Sequence, residues 1–215
     1  MHDKHNARQY LLILRVARTL FTERGLTVSL GQIAEACGLS RGTLYKYFKN
    51  KEALLWSIQH YQLHLFGQAL AQREADFGPG VTCLQRYRAF FDEMLNIYEC
   101  APEQLLFMGL FNSLYQQETT SQTQSTYRRY FHAQDFGTQD TVRFLEKNAP
   151  DESLRAGLNP HVTAVSATYC AYYTLFSLKR DESELQIKYS VHSLDLARFS
   201  FDHFLIGISR TGQLP

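Results

Sequence analysis

The chain has 215 residues, of which 45% are hydrophobic and 20% are charged, and its formal net charge is +1. These values are typical of a globular protein with one or two domains. No apolar run approaches the roughly 18 to 20 residues that a membrane-spanning helix needs, and no apolar leader precedes Tyr10. The composition therefore argues against a membrane-spanning or disulfide-rich secreted protein and predicts a cytoplasmic one.

Helical patterns begin near the N-terminus. Residues 7–24 place apolar side chains at helical spacing, with arginines between them. Ser29 and Gln32 then fit a capping box, which predicts the start of a second, short helix. Gly38 ends this helix, because a glycine takes the left-handed conformation without a steric clash.

A third helix is predicted directly after this glycine, with Ser40 as its N-terminal cap. Leu44 and Phe48 are four residues apart, so both turn inward and orient the helix. Two short helices that meet at a glycine indicate a helix-turn-helix, whose second helix lies in the major groove of DNA. The polar and small residues on its other side are Arg41, Gly42, Thr43, Tyr45, Lys46 and Tyr47.

The charge distribution agrees with a nucleic-acid module in this part of the chain. Residues 1–60 contain nine Lys or Arg against four Asp or Glu, whereas the remainder has thirteen against seventeen. Asn50 is predicted to cap a fourth helix that begins at Lys51. A lysine at this end is unfavourable because its charge opposes the helix dipole. A nearby phosphate makes the electrostatic energy favourable, so we expect Lys51 to contact the DNA backbone.

Residues 10–55 resemble the DNA-binding domain of the tetracycline-repressor (TetR/AcrR) family of transcriptional regulators. The main departure is Cys37, where the family has a small residue such as alanine. The positions that carry the resemblance are Ala17, Leu20, Phe21, Gly25, Val28-Ser29, Ile33-Ala34, Gly38-Leu39-Ser40, Gly42-Thr43-Leu44-Tyr45, Tyr47-Phe48 and Lys51-Glu52-Ala53-Leu54.

The resemblance implies roles for individual residues. Arg41, Thr43, Tyr45 and Lys46 correspond to positions that read base edges or adjacent phosphates, while Gly42 lets the backbone approach the duplex. A further group corresponds to positions that hold the phosphate backbone, namely Thr27, Tyr47 and Lys51. The resemblance also implies a small DNA-binding domain, here residues 1–51, followed by a larger ligand-binding and dimerisation domain, residues 52–215.

The rest of the chain is also predicted to be helical, which gives an all-α protein of about nine helices. Gly78-Pro79-Gly80 separates two of these helices, and residues 116–126 form a polar segment without apolar periodicity. The predicted helices cover residues 51 to about 75, 82–100, a stretch from Pro102, about 125–148, 160 to about 179, and 183 or 184 to about 208.

The last two predicted helices are apolar on most sides, so they must be covered on most sides. Two interpretations are open: a central position in the core of the monomer, or a four-helix interface between two copies. The resemblance favours a homodimer formed through these helices. Reading two half-sites about one helical turn apart also needs a dimer.

The middle helices are rich in aromatic residues that are either core or the lining of an apolar pocket. As a pocket, they suit an apolar or aromatic small-molecule effector. The candidate ligand-binding residues are Phe90, Met94, Tyr98, Phe107, Phe111, Tyr130 and Tyr172.

No metal site, cofactor or catalytic residue is predicted. His60 and His64 have a valid ligand spacing, but nothing nearby in the sequence supplies a third ligand. No nucleophile elbow, phosphate-binding glycine loop or acid–base pair is present. The cysteines show no paired spacing and predict reduced thiols, with a thiol sensor as the alternative; they are Cys37, Cys83, Cys100 and Cys170.

The sequence thus predicts a homodimeric transcriptional regulator, most simply a repressor that a small molecule releases from its operator. Activation and repression use the same contacts with DNA, so the sequence does not separate them. One alternative is a DNA-binding protein without a small-molecule ligand, which a protein partner controls or which acts architecturally. An enzyme on a helical scaffold is the other.

Overall fold

The computed structural model describes residues 2–116 and 138–215, and the side chains of residues 6–115 and 141–215. Within these ranges the secondary structure is helical, without strands, which confirms the predicted all-α class. The helices are α1 (His2–Arg24), α2 (Leu30–Ala36), α3 (Arg41–Tyr47), α4 (Lys51–Asp76), α5 (Cys83–Cys100), α6 (Pro102–Gln116), α7 (Thr138–Glu146), α8 (Pro160–Arg180), α9 (Glu182–Tyr189) and α10 (Ser193–Ile208), with a short 3-10 helix at Gly25–Thr27.

The described residues form two compact units. The first contains residues 2–62 and 106–116, and the second contains residues 63–105 and 138–215. Helix α4 contributes its residues up to Gln62 to the first unit and its remaining residues to the second. None of the described helices is long and apolar enough to cross a membrane.

The core of the first unit combines residues of α1, α2 and α3 with the beginning of α4 and with Phe107 and Phe111 of α6. Phe21 and Leu44 are completely buried in it, and Trp56 is 2% exposed. The Trp56 ring meets the Phe111 ring edge-on at a centroid distance of 4.8 Å. Burial of these large side chains fixes the orientation of α3 within the unit.

In the second unit, α5 packs against α7, α8 and α10. Phe91 of α5 stacks on Phe201 of α10 at 4.5 Å between ring centroids. The side chain of Arg86 is almost fully buried, and its charge is balanced because its Nε donates to Glu74 at 2.9 Å. A buried cation needs such a partner, since desolvation otherwise destabilises it.

The N-terminus of α5 is capped by a loop that is distant in sequence. The Asp151 carboxylate accepts from the main-chain N–H of Cys83 at 2.6 Å, and the Ser153 hydroxyl accepts from that of Leu84 at 3.0 Å. Burial opposes ionisation of Asp151, but the hydrogen bonds from Ser153 and Cys83 dominate and lower its pKa. The loop thereby satisfies helix N–H groups that lack partners within the helix.

The structure corrects the prediction of one continuous last helix. The segment after residue 182 forms two helices, α9 and α10, because Ser190 takes a left-handed conformation with φ 55° and ends α9. No glycine or proline marks this break in the sequence. Helix α1 also begins earlier than expected, at His2, and the predicted helix over residues 125–148 is described only as Thr138–Glu146.

Candidate DNA-binding surface

Helix α2 starts and ends at the residues that the sequence indicates. The Ser29 hydroxyl accepts from the N–H of Gln32 at 3.2 Å, and the Gln32 side chain accepts from the N–H of Ser29 at 2.8 Å. At the other end Gly38 has φ +67°, and the N–H of Leu39 donates to the carbonyl of Ala34 at 2.8 Å. This is a Schellman turn, and it sets the direction in which the chain enters α3.

Helix α3 is held by a cap at its start and by two apolar anchors. The Ser40 hydroxyl accepts from the N–H of Thr43 at 3.1 Å and also bonds the Thr43 hydroxyl at 2.9 Å. Leu44 is fully buried and Phe48 is 2% exposed, as the spacing predicts. The two anchors leave the opposite face of α3 free of the core.

The residues predicted to read base edges lie on that opposite face. Arg41, Gly42, Tyr45 and Lys46 are exposed, and the Tyr45 side chain is 53% accessible although it is aromatic. Thr43 is half-buried, and its hydroxyl is engaged by the cap. An exposed row of hydrogen-bond donors and one aromatic ring on an anchored helix is suited to the major groove.

Tyr47 lies at the end of α3 beside α1. Its hydroxyl donates to Gln9 Oε1 at 2.7 Å and approaches Asn6 Oδ1 at 3.5 Å. Its ring also lies 6.5 Å from the ring of Tyr10. Helix α1 therefore positions a residue that the sequence links to the phosphate backbone, and no sequence pattern points to Gln9 as its partner.

Lys51 and Thr27 are also expected to contact the phosphate backbone of DNA. Thr27 lies just before α2, and Lys51 follows α3 as the first residue of α4. The ammonium of Lys51 donates to the main-chain carbonyl of Leu26 at 2.7 Å, and the Thr27 hydroxyl donates to the carbonyl of Arg24 at 3.3 Å. Thr27 is exposed and Lys51 is half-buried. The Lys51 ammonium has three protons, so one bond to Leu26 leaves donors for a phosphate.

The sequence of this segment matches a known family profile. The sequence profile described as "Bacterial regulatory proteins, tetR family" matches residues 13–58, which include α2, α3 and the first part of α4. Over these residues the chain is similar to the tetR family. The matched residues include helix α3, which is anchored by Leu44 and exposed at Arg41, Tyr45 and Lys46.

Similarity to individual curated proteins covers a limited part of the chain. An uncharacterized HTH-type transcriptional regulator of Mycobacterium tuberculosis is 38% identical over 65 residues, which cover 30% of this chain and 32% of the relative. The match thus spans about a third of the length of that curated relative.

Solved structures of low sequence identity share the fold along nearly the whole chain. FadR from Bacillus subtilis, solved in complex with stearoyl-CoA, has a TM-score of 0.69 at 16% identity and covers 93% of this chain and 99% of its own. NalD is the secondary repressor of the MexAB-OprM multidrug efflux pump in Pseudomonas aeruginosa. It has a TM-score of 0.64 at 21% identity, and the match covers 96% of this chain and 98% of NalD. At these identities the likeness extends to the fold alone.

The candidate effector residues do not form one cluster within a unit. Phe107 and Phe111 of α6 belong to the core of the first unit, where they are 0% and 2% exposed. Phe90, Met94 and Tyr98 are buried on α5 in the second unit. Tyr172 of α8 is half-buried and stacks on Phe176, and Tyr130 lies outside the described residues.

Tyr98 takes part in a polar network in the second unit. Its hydroxyl donates to the Ser193 hydroxyl at 2.6 Å, and Ser193 donates to Glu182 at 3.0 Å. Glu182 is also bound by Lys179, whose ammonium lies 5.3 Å from the centre of the Tyr98 ring. Burial raises the pKa of Tyr98 further above its ordinary value, which is itself well above neutral pH.

A groove of about 410 Å³ lies between α5 and α10, and none of the candidate effector residues lines it. Phe91 and Phe201 form part of its wall, together with charged side chains that pair with each other. Arg88 contacts Asp202 at 2.7 Å and Asp92 at 3.3 Å. The groove is therefore largely self-neutralised, unlike the uncompensated basic face of α3.

The described part of the chain holds no group of three or more His, Cys, Asp or Glu residues arranged for a metal ion. Burial, with a smaller contribution from the charge of Asp151, raises the pKa of Cys83 to about 11. Burial also raises the pKa of Cys37. Both thiols are protonated at neutral pH and poorly nucleophilic, which is the opposite of what a thiol sensor requires.

Proposed function

We propose that this protein is a sequence-specific DNA-binding regulator of transcription and has no enzymatic activity. The observation that carries the proposal is the anchored helix α3, which buries Leu44 and Phe48 and presents Arg41, Tyr45 and Lys46 to solvent. The tetR-family match over residues 13–58 supports the same role for this helix. The DNA-binding part comprises residues 1–51 and continues into α4, and the remaining chain, residues 52–215, controls it.

The proposal assigns two kinds of contact to the surface. Arg41, Thr43, Tyr45 and Lys46 meet base edges or the adjacent phosphates, with Gly42 allowing close approach. Thr27, Tyr47 and Lys51 hold the phosphate backbone. Contacts of the first kind specify the sequence, whereas those of the second kind position the protein without reading it.

Selection of duplexes from a pool with a randomised centre tests this assignment. We expect the parent protein to enrich one motif, and Arg41→Ala to relax the preference at one base pair by about 1 to 3 kcal/mol. Arg155→Ala is a matched control, because Arg155 is exposed in the second unit and its main-chain N–H bonds Ile208. Absence of an enriched motif from the parent contradicts the proposed function.

We further propose that the protein acts as a homodimer formed through α8 and α10. The two helices expose large apolar side chains, of which Val162 is 59%, Tyr169 is 54% and Phe199 is 63% accessible. Exposed apolar side chains at helical spacing on neighbouring helices favour association with a second copy. A dimer also presents two recognition helices to two half-sites.

We propose a small-molecule effector that releases the dimer from its operator, so that the protein is a repressor. FadR, a transcriptional regulator solved in complex with stearoyl-CoA, supports a bound small molecule for this fold, and the repressor NalD supports repression. The effector has to prefer the arrangement that does not bind DNA, because equal affinity for both arrangements shifts nothing. In this mechanism the effector moves α4, which begins at Lys51, and thereby separates the recognition helices.

The single tryptophan of the chain provides a direct screen for the effector. Trp56 is 2% exposed and packs against Phe111 and Tyr115 at the start of α4. A metabolite that raises the melting temperature, changes Trp56 fluorescence and dissociates the selected duplex supports the proposal. Retention of full DNA affinity by the ligand-saturated protein contradicts it, and Trp56→Phe identifies signals that do not come from this side chain.

A regulator without a small-molecule ligand is the second candidate. It is favoured by the tight packing of the candidate effector residues, since Phe90, Phe107 and Phe111 are at most 2% exposed. Control then comes from a protein partner, or the protein acts architecturally. A metabolite screen without any stabilising compound, combined with normal binding to the selected duplex, supports this candidate.

A further inference from the structure

Gly31 lies under the guanidinium of Arg41. A Cβ atom built with ideal geometry on Gly31 lies 2.8 Å from Arg41 Nε, 2.9 Å from Nη2 and 3.0 Å from Cζ. Cβ atoms essentially never come this close to other atoms, so any larger residue displaces the guanidinium. The first turn of α2 and the first residue of α3 are thus in direct contact only because position 31 lacks a side chain.

The backbone does not require a glycine at this position. Gly31 is the second residue of α2 and has no positive φ, in contrast to Gly38. Glycine is a poor helix former, so its presence inside a helix without a conformational reason weakens α2. The requirement at position 31 is therefore steric, and it concerns the side chain of Arg41.

Stability of the fold does not explain the contact either. Arg41 is exposed, and its cation lies near the N-terminal turn of α2, where the helix dipole is positive. A guanidinium gains nothing from this dipole. What the close approach does provide is room for the guanidinium of this long side chain directly over the first turn of α2.

We propose that Gly31 is a positioning residue for sequence reading, because its missing side chain lets Arg41 lie across α2 with its guanidinium oriented for one base pair. This inference rests on the proposed function, in which Arg41 meets a base edge. Bidentate recognition of guanine depends on the plane of the guanidinium. A displaced Arg41 therefore discriminates less between bases although it keeps its charge. Gly31 itself contacts no DNA base in this proposal.

A double-mutant cycle with Gly31→Ala and Arg41→Ala tests the inference on duplexes selected by the parent and on their single-base variants. We expect Gly31→Ala to reduce base preference by about tenfold, and to do so at the same base pair that Arg41→Ala affects. The salt dependence of binding stays unchanged, because the charge is retained. In the Arg41→Ala background, Gly31→Ala has no further effect on base preference.

The melting temperature separates this role from a structural one. Alanine suits the helical backbone of position 31, and the three atoms nearest to its Cβ belong to the flexible end of Arg41, so Gly31→Ala is expected to keep or raise the melting temperature. Parent-like base preference in Gly31→Ala overturns the inference, as does an equal loss in the Arg41→Ala background. If the parent enriches no motif, the proposed function fails and this inference fails with it. If the parent enriches a motif and Gly31→Ala keeps the parent's base preference, this inference alone fails.

Discussion

The ammonium of Lys51 donates a hydrogen bond of 2.7 Å to the main-chain carbonyl of Leu26. Lys51 is the first residue of α4, and Leu26 belongs to the 3-10 helix that precedes α2. The bond therefore joins two segments that are 25 residues apart within the first unit. A lysine that the sequence associates with DNA phosphate thus also stabilises the fold of the DNA-binding part.

Lys51→Met is expected to lower the free energy of unfolding by about 1 kcal/mol, because it leaves the Leu26 carbonyl without its charged donor. Lys49→Met is the matched control, since Lys49 is exposed and the substitution removes the same charge. Urea denaturation of both variants measures the difference. Equal stability of the two variants shows that the bond to Leu26 contributes nothing.

The same variant tests the phosphate contact of Lys51. We expect Lys51→Met to weaken binding to all duplexes alike, because a phosphate contact carries no sequence information. The slope of log K against log salt concentration is expected to fall by about 0.9 for one lost contact. An unchanged slope shows that Lys51 makes no phosphate contact and acts only in the fold.

Gln9→Glu is expected to weaken DNA binding through Tyr47. A phosphate oxygen accepts hydrogen bonds, so Tyr47 contacts it by donating its proton, which now goes to Gln9 Oε1. An amide can rotate and donate to the tyrosine oxygen, whereas a carboxylate only accepts and adds a negative charge near the duplex. Affinity for all sequences should therefore drop.

Gln9→Leu separates these two effects, because it neither holds the Tyr47 proton nor adds a charge. Electrophoretic mobility shifts on the selected duplex compare both variants with the parent. We expect Gln9→Glu to bind more weakly than Gln9→Leu. Parent-like binding by Gln9→Glu removes Tyr47 from the phosphate contacts.

Phe199→Asp is expected to dissociate the proposed homodimer, because it places a charge in the apolar face of α10 where 63% of the Phe199 side chain is accessible. Ile187→Asp is the control, since Ile187 of α9 is 85% exposed and lies outside the proposed interface. Sedimentation measures the mass of each variant. A dimeric Phe199→Asp protein, or a monomeric Ile187→Asp protein, contradicts the assigned interface.

Stability in acid should depend on Asp151. The folded state lowers the pKa of Asp151, so its contribution to stability is complete above the unfolded value of about 4 and is lost as the pH falls through the folded value. We expect Asp151→Asn to cost about 1 to 2 kcal/mol at pH 7 and to reduce the loss of stability below about pH 4. Denaturation at several pH values measures both effects.

Glu152→Gln provides the control for this experiment, because the neighbouring Glu152 side chain is 96% exposed. Its removal should leave both the stability at neutral pH and the acid dependence close to those of the parent. If Asp151→Asn follows the parent at every pH, the cap on α5 does not stabilise the fold.

Local patterns were sufficient for the helix-turn-helix. Ser29 with Gln32, Gly38 and Ser40 each specify a helix end through atoms only a few residues away, and the observed caps use these residues. The end of α9 was not predictable, because Ser190 adopts a left-handed conformation without the glycine that marks such positions. The position of Gly31 inside a helix was visible in the sequence, but the side chain that requires it was not.

The sequence by itself determined the all-α class, the caps of α2 and α3 and the inward anchors Leu44 and Phe48, because all of these depend on spacing within one helix or turn. Only the tertiary structure decided which partners Lys51, Tyr47 and Arg41 have, since Leu26, Gln9 and Gly31 lie on other elements. It also assigned Phe107 to the core of the first unit and Phe90 to the second. Helical periodicity tells which side of a helix is buried, whereas the element that covers it is set by how the chain folds back on itself.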